Sequence, residues 1–177
     1  MHIVLCAFAG DLRIAWNAAL PEFLPAMERA GHSVAIVRGD ITKLSVTAVV
    51  SPANSCGYMR GGVDLAYSER FGERLERNLR AQIVLLAQGL LPVGEAVALA
   101  TGDKIIPHMI SAPTMERPGR LAGPEPVLAA SRAAVACALR EGYDSLAFPG
   151  MGTGTGGLSF PVAARAMLQG IYAGLGI

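Results

Sequence analysis

The stretch VTAVVSPANSCGYMRGGVD, from Val46 to Asp64, joins a short apolar run to a polar turn and a glycine pair. The apolar run is rich in β-branched residues, which is typical of a buried strand. A helical pattern begins directly behind the glycine pair, near Val63. The stretch therefore predicts a strand, a loop that carries the amide of Asn54, and a helix with a carboxylate in its first turn.

The same alternation of strand and helix patterns continues along the chain. The strand patterns read HIVLCAF, HSVAIVRGDIT, VTAVVSPAN, GEAVALATG, KIIPHMISAP and DSLAFPG. The helical patterns read GDLRIAWNAALPEFLPAMERAG, with a break expected at Pro21 or Pro25, VDLAYSERFGERLERNLRAQIVLLAQ, with a break near Gly72, VLAASRAAVACALREG and PVAARAMLQGIYAG. Such alternation predicts an α/β domain whose largely parallel sheet is covered by helices on both faces.

The composition is that of one ordered domain with nearly balanced charge. A length of 177 residues predicts a single domain over residues 1–177. Hydrophobic residues make up 52% of the chain and the mean hydropathy is +0.41, well on the ordered side of the disorder boundary. Because the net charge is only +1, the sequence does not favour nucleic acid as a partner.

The cysteines and histidines form no recognisable framework. Three of each are scattered without metal-ligand spacing, and the odd cysteine count argues for a reducing compartment. No apolar run approaches the ~18 residues that span a bilayer. The N-terminal MHIVLCAFAG lacks the charged segment and long apolar core of a signal peptide. We therefore expect a cytoplasmic protein with no membrane segment, no metal and no cofactor.

Two glycine-rich loops follow strand patterns and precede helical ones. The first holds Gly61 and Gly62, and the second is PGMGTGTGG, residues 149–157. The second matches GxGxxG, but the later strand and acid of a dinucleotide site do not follow, and no Gly-Lys-Ser/Thr of a P-loop is present. Glycine lets backbone N–H groups approach an anion closely, and helix N-termini favour negative charge. The pair of loops predicts a cleft that binds a diphosphate.

Five sequence blocks carry a family resemblance that spans roughly residues 34–170. They are GDIT, AVVSPANS…GGVDLAY…FG, VGEAVALATG, KIIPHMISAP and FPGMGTGTGG, in that order. This series resembles the macrodomain, an ADP-ribose-binding module. The resemblance implies a three-layer α/β/α fold with a mixed, mostly parallel central sheet.

The resemblance also implies roles for particular residues. Asp40 would accept a hydrogen bond from the adenine amine, with Ile41 beside the ring, and Asn54 would hold the distal ribose. Asp64 stands where hydrolytic members carry an acid beside that ribose, so Asn54 and Asp64 are the implied catalytic pair. The diphosphate would be bound by residues of the two loops, namely Gly61, Gly62, Val63, Gly150, Gly152, Thr153, Gly154, Thr155 and Gly156.

On this basis the expected ligand is ADP-ribose or an ADP-ribosylated protein. The expected activity is metal-independent hydrolysis of mono-ADP-ribosyl carboxylate esters on proteins, or of O-acetyl-ADP-ribose. A reader module that binds without cleaving is the alternative, and a different nucleotide is a third. Removal of ADP-ribose from DNA is not favoured, because Lys43 and Lys104 stand in no matching context.

Two departures from the family pattern stand out. The aromatic that usually covers the distal ribose is replaced by Thr155 or Gly156, so Tyr58, Met59 or Phe160 would have to take its place. The family's final strand and helix are absent after the second loop's helix, whereas residues 2–20 have their pattern. We therefore expect a circular permutation, which would put Phe8 against the adenine ring.

Simpler explanations remain open for each proposed site residue. Asp64 could act only on the helix dipole, Asn54 could form an Asx-turn, and Asp40 could cap a turn. Phe8 could belong to the core. A nucleophilic role for Cys56 is not favoured, because no general base with triad character stands out in the sequence, and neither is a zinc site of Cys56 with His108.

Overall fold

The structure is a computed structural model that describes residues 1–86 and 88–177. Within these residues a six-stranded sheet consists of β1 (His2–Ala7), β2 (Ser33–Arg38), β3 (Ala48–Ser51), β4 (Val97–Ala100), β5 (His108–Ser111) and β6 (Ser145–Phe148). The helices that accompany it are α1 (Gly10–Ala19), α2 (Leu24–Arg29), α3 (Gly62–Phe71), α4 (Arg74–Val84), α5 (Glu125–Arg140) and α6 (Phe160–Gly174). Short 3₁₀ turns cover Leu20–Glu22 and Ile41–Lys43.

The strand order is β2-β1-β6-β3-β5-β4, and every neighbouring pair is parallel except β4 with β5. This confirms the predicted mixed, mostly parallel sheet. Parallel strands carry their connections across the faces of the sheet, so helices must cover both sides. Because parallel strands run in the same direction, the loops that follow them all lie at the same edge of the sheet.

The core has two layers of buried side chains, one on each face of the sheet. One layer packs the sheet against α1, α2, α5 and α6, and the other packs it against α3 and α4. Strand β1 supplies both, because Ile3 and Leu5 point to the first layer while Val4 and Cys6 point to the second. The predicted three-layer α/β/α arrangement is thus confirmed.

Proline and glycine end the helices where the sequence predicts. The helical pattern behind β1 breaks at the 3₁₀ turn that contains Pro21, and α2 resumes with Pro25 in its first turn. Gly72 separates α3 from α4 with a φ of 86°, a left-handed conformation that glycine adopts without strain. Pro161 lies in the first turn of α6, where its missing N–H costs no hydrogen bond.

The N-terminal strand β1 lies inside the sheet, hydrogen-bonded to β2 on one side and β6 on the other. A strand away from the centre would have contradicted the expected circular permutation. The observed position agrees with it, and the permuted order itself stays a prediction. Among the residues that the structure describes, no helix is long and apolar enough to cross a membrane.

Candidate functional site

A cleft of about 910 Å³ lies at the edge of the sheet where the parallel strands end. Its lining comes from five segments, residues 6–12, 39–41, 52–66, 114–118 and 149–160. Each segment follows a different parallel strand, which is where open α/β sheets bind ligands. The cleft therefore gathers the loops behind β1, β2, β3, β5 and β6.

The strand order also fixes the order of these loops along the cleft. The loop with Asp40 follows β2 at one end, and Phe8 follows β1 next to it. The second glycine loop follows β6 in the middle. The loops with Asn54 and Met115 follow β3 and β5 at the other end. Since adjacent strands lie about 4.8 Å apart, β2 is separated from β3 by roughly 14 Å and from β5 by roughly 19 Å.

The first glycine loop leaves the N-terminus of α3 open to the cleft. Gly61 is the residue before α3, no side chain caps the helix, and Gly62 has a φ of 55°. Among the described residues, no backbone N–H of residues 60–63 donates to another protein group. Free N–H groups at a helix N-terminus form an anion-binding site.

In the second glycine loop several carbonyls are hydrogen-bonded within the protein, whereas most of the amides are not. The carbonyls of Gly152, Gly154 and Gly156 accept hydrogen bonds from Leu158, Gly157 and Leu121. Within the described part of the chain, none of the backbone N–H groups of residues 151–156 has a protein acceptor. Both loops thus offer unpaired donors to the same cleft, an arrangement that suits a diphosphate.

The structure gives a physical reason why no aromatic stands at Gly156 in the second loop. A Cβ atom at Gly156 would lie 2.6 Å from the carbonyl oxygen of Gly152 and 3.0 Å from Leu121, so no side chain fits there. Met59 is buried and does not line the cleft. Tyr58 and Phe160 both line it. Phe160 begins α6 and also lines the neighbouring groove against α1, whereas Tyr58 belongs to the loop behind β3. Tyr58 is therefore the aromatic at the β3–β5 end.

Asn54 lines the cleft, but most of its side chain holds the surrounding loop. Its Oδ1 accepts from the N–H groups of Cys56 and Tyr58 at 3.1 and 3.3 Å, and its Nδ2 donates to the carbonyl of Tyr58 at 2.9 Å. The Cys56 bond is the Asx-turn that the sequence left open as an alternative. Among the residues that the structure describes, the second N–H of this amide has no protein acceptor, so it can donate to a ligand.

Asp64 lies beneath the first glycine loop and is not among the residues that line the cleft. Its side chain is buried, and the hydroxyl of Ser51 donates to its Oδ1 at 2.5 Å. Burial raises the pKa of this carboxyl to about 7, and the hydrogen bond from Ser51 opposes that shift. Asp64 is therefore a buried acid that changes charge near neutral pH.

The β2 end of the cleft combines a carboxylate with an exposed aromatic. Asp40 caps the 3₁₀ turn behind β2, because its Oδ1 accepts from the N–H and the hydroxyl of Thr42 at 3.0 and 2.7 Å. Those bonds hold the pKa of Asp40 below its usual value. Ile41 is buried against the sheet, whereas Phe8 is 89% exposed, so the core alternative for Phe8 is wrong.

Several residues in or beside the cleft were not identified from the sequence. Ser51 is one, since a serine at a strand end carries no signal until its partner Asp64 is known. Arg60 is another, together with Arg80, because both guanidinium groups lie over the ring of Tyr58. The loop behind β5 also contributes Thr114 and Met115.

The sequence matches known proteins over most of its length. A family model described as the Macro domain matches residues 50–167. An uncharacterized protein from Aquifex aeolicus is 40% identical over 138 residues, which are 78% of this chain and 80% of that protein. An O-acetyl-ADP-ribose deacetylase from Cronobacter turicensis is 32% identical over 136 residues, which are 75% of this chain and 74% of that protein.

Solved structures match the fold to a similar extent. The Oceanobacillus iheyensis macrodomain with MES bound superposes with a TM-score of 0.68 at 26% identity, and the match covers 77% of this chain and 74% of that one. The same macrodomain with ADP gives a TM-score of 0.67 at 25% identity, covering 76% and 72%. In both comparisons about three quarters of each chain share one fold.

Proposed function

The chain belongs to the macrodomain family, whose members bind ADP-ribose, and we propose that it binds ADP-ribose and hydrolyses ADP-ribosyl linkages. The bonds to be cleaved would be mono-ADP-ribosyl carboxylate esters on proteins or the ester of O-acetyl-ADP-ribose. One observation carries the proposal: two loops with unpaired N–H groups meet in one cleft with Asp40 at one end and Asn54 at the other.

In the proposed complex the ligand lies along the order of the strands. Adenine would rest on Phe8, and its amine would donate to Oδ2 of Asp40, which also lies 3.6 Å from the ammonium group of Lys43. The diphosphate would accept hydrogen bonds from the N–H groups of the first and second glycine loops. The distal ribose would then reach Asn54, whose remaining N–H can donate to a ribose hydroxyl. No side-chain cation is required for the diphosphate, because two loops share its charge.

The proposed reaction is the addition of water to the ester, which releases ADP-ribose and the free acid. The fixed amides of the two loops would bear the charge of the diphosphate and so hold the ester in place. Asp64 lies below the first loop, so we assign it a positioning role through Ser51 and the start of α3. Because its pKa is about 7, the hydrolysis rate should rise between pH 6 and 8 as the carboxyl ionises.

The buried position of Asp64 favours a second candidate, a reader that binds ADP-ribose without cleaving it. Its carboxyl accepts a hydrogen bond from Ser51 and does not line the cleft. Most of the hydrogen-bonding capacity of Asn54 is used on the backbone of Tyr58 and of Cys56. A reader would keep the cleft and the loops and would show binding without turnover. The deacetylase from Cronobacter turicensis favours hydrolysis, since it is 32% identical to this chain.

The test is a time course of ADP-ribose release from a protein that is mono-ADP-ribosylated on glutamate, and from O-acetyl-ADP-ribose. Wild type, Asp64→Asn and Asp144→Asn would be compared at pH 6, 7 and 8. Asp144 is a matched control, because it is exposed and precedes β6 at the opposite edge of the sheet. Calorimetric titration with ADP-ribose would measure binding separately.

We expect release by the wild type and by Asp144→Asn, and a loss of at least about tenfold in Asp64→Asn. Binding of ADP-ribose with no release from either substrate would overturn hydrolysis and leave the reader. Absence of binding would overturn both candidates.

A further inference from the structure

One charged cluster at the β3–β5 end of the cleft is not used by the proposed hydrolysis. It consists of Tyr58, Arg60, Arg80 and Glu76, and we refer to it as the arginine–tyrosine cluster. The guanidinium carbons of Arg60 and Arg80 lie 4.9 and 4.3 Å from the centre of the Tyr58 ring. Arg80 also donates to the Tyr58 hydroxyl at 3.3 Å. Two cations on one aromatic ring form a preassembled surface rather than two independent side chains.

The cluster is anchored from below by residues that the fold holds firmly. The side chain of Asn54 is hydrogen-bonded to both the backbone N–H and the backbone carbonyl of Tyr58. The N–H of Met59 donates to Oε2 of Glu76 at 3.1 Å, while Oε1 of Glu76 faces Arg60. The ring and the two arginines therefore stand at a defined place beside the cleft, and Tyr58 and Arg60 line it directly.

The cluster carries an uncompensated positive charge. Glu76 is the acidic partner of Arg60, at a long 3.7 Å, and the Arg60 side chain is 73% exposed. Arg80 forms no ion pair with an acidic group among the residues that the structure describes. Two arginines and one glutamate leave one net positive charge at this end. A positive charge held at a rim attracts and orients an anionic partner.

The position of the cluster indicates which part of a substrate would meet it. Its Tyr58 and Arg60 follow β3, so the strand order puts them roughly 14 Å from the Asp40 end, beyond the second glycine loop and next to the first. If ADP-ribose binds as proposed, its distal ribose lies at this end, and whatever is attached to that ribose leaves the cleft here. The arginines of the cluster would therefore face the acceptor rather than the nucleotide.

We propose that the arginine–tyrosine cluster is an acceptor subsite, which binds an acidic peptide segment adjacent to the ADP-ribosylated residue. This inference rests on the proposed binding of ADP-ribose. Arg60 and Arg80 would pair with carboxylates flanking the modified residue, and the exposed edge of Tyr58 would pack against the peptide backbone. A peptide fits better than a nucleic acid, because affinity for a polyanion grows with the number of phosphates contacted, and this rim offers only two arginines on a chain of net charge +1.

The test compares two peptides that carry ADP-ribose on a glutamine isostere of glutamate, so that hydrolysis cannot interfere. One peptide has aspartate and glutamate on both sides of the modified residue, and the other has serine and asparagine. The dissociation constants of both peptides and of free ADP-ribose would be measured by calorimetry at low and high salt. The proteins are wild type, the double variant Arg60→Gln/Arg80→Gln, and Arg140→Gln. Arg140 is exposed at the end of α5 and does not line the cleft.

We expect the wild type to bind the acidic peptide about tenfold more tightly than the neutral one, and to lose this preference in high salt. The double variant should reduce the preference to about twofold or less, whereas Arg140→Gln should retain it. A conservative Arg60→Lys/Arg80→Lys variant keeps the charge and should retain part of the preference, which separates charge from folding effects.

Three outcomes would overturn the proposal. One is equal binding of the two peptides by the wild type while free ADP-ribose still binds, which would leave the proposed function intact. Another is a preference that survives in the double variant. The third is tighter, arginine-dependent binding of an ADP-ribosylated oligonucleotide than of the acidic peptide, which would assign the cluster to nucleic acid. Absence of binding of free ADP-ribose would overturn the proposed function and the subsite with it.

Discussion

The two glycine-rich loops line the same cleft, but their glycines stand in different surroundings. In the first loop, a Cβ atom at Gly61 or Gly62 would meet nothing within 4 Å. In the second loop, a Cβ atom at Gly150 would collide with Leu12, one at Gly152 would lie 2.6 Å from Val127, and one at Gly156 would lie 2.6 Å from a backbone oxygen. Within the second loop, Gly154 resembles the first loop in facing open space.

The comparison separates two reasons for glycine. The first loop needs glycine to leave the start of α3 bare, so its glycines serve the approach of a ligand. The second loop needs most of its glycines because α1, α5 and the loop behind β5 press against it. Counting glycines in a sequence cannot distinguish these cases. Substitutions at matched positions of the two loops can distinguish them.

The largest expected effect comes from Gly156→Ala in the second loop. The added methyl group would overlap the carbonyl oxygen of Gly152, so the loop would have to shift away from Leu121. We expect a loss of about 3 kcal/mol in the free energy of unfolding, measured by urea denaturation. Gly154→Ala is the matched control and should change stability by less than about 0.5 kcal/mol. If Gly156→Ala and Gly154→Ala were equally stable, the surroundings of Gly156 would be no tighter than those of Gly154, which contradicts the prediction.

The next effect concerns Asp64, the buried acid under the first loop. Below the unfolded pKa of 3.8 both states are protonated, and above the folded pKa of about 7 both are ionised. Between these values only the folded state keeps the proton, so this acid costs the protein stability as pH rises from 4 to 7 and by a constant amount above 7. Asp64→Asn has no such titration.

We therefore expect Asp64→Asn to gain stability relative to the wild type with rising pH. The pKa difference corresponds to about 4 kcal/mol, and we expect about half of it because the new amide must also find hydrogen-bond partners. Urea denaturation at unit steps from pH 4 to 8 measures this, with Asp144→Asn as an exposed control. A stability difference that does not change with pH would show that the Asp64 carboxyl ionises as freely in the folded protein as in the unfolded one.

The smallest expected effect tests the open glycines as ligand contacts. Gly61→Val and Gly154→Val add side chains into empty space beside the cleft, and Gly61 has an extended φ of −159° that valine adopts readily. Thermal unfolding should change little, while calorimetry should show at least about tenfold weaker binding of ADP-ribose, or about 1.4 kcal/mol. Unchanged affinity in both variants would mean that the diphosphate does not approach these loops.

The sequence predicted the elements and the cleft loops because both leave local signals. Apolar periodicity marked the strands, proline and glycine marked the helix ends, and the Asx-turn of Asn54 was among the alternatives. The burial of Asp64 was not predictable. It depends on how α3 is rotated about its axis, and that rotation is set by the packing of Tyr67 and its neighbours under β3. Arg80 could not be linked to Tyr58 because α4 brings it there only in the folded protein.

The inner position of β1 has a consequence for how the chain folds. This strand must pair with β6, near the other end of the described chain, as well as with β2. Pairings between distant segments form slowly, because the entropy of closing the intervening chain is lost before the new contacts stabilise the structure. Until residues 145–148 join the sheet, β1 exposes an unpaired edge that other chains can recruit. Phe8 and the second glycine loop are brought together by the pairing of β1 with β6, so a chain that lacks β6 would have no assembled cleft and a heightened tendency to aggregate.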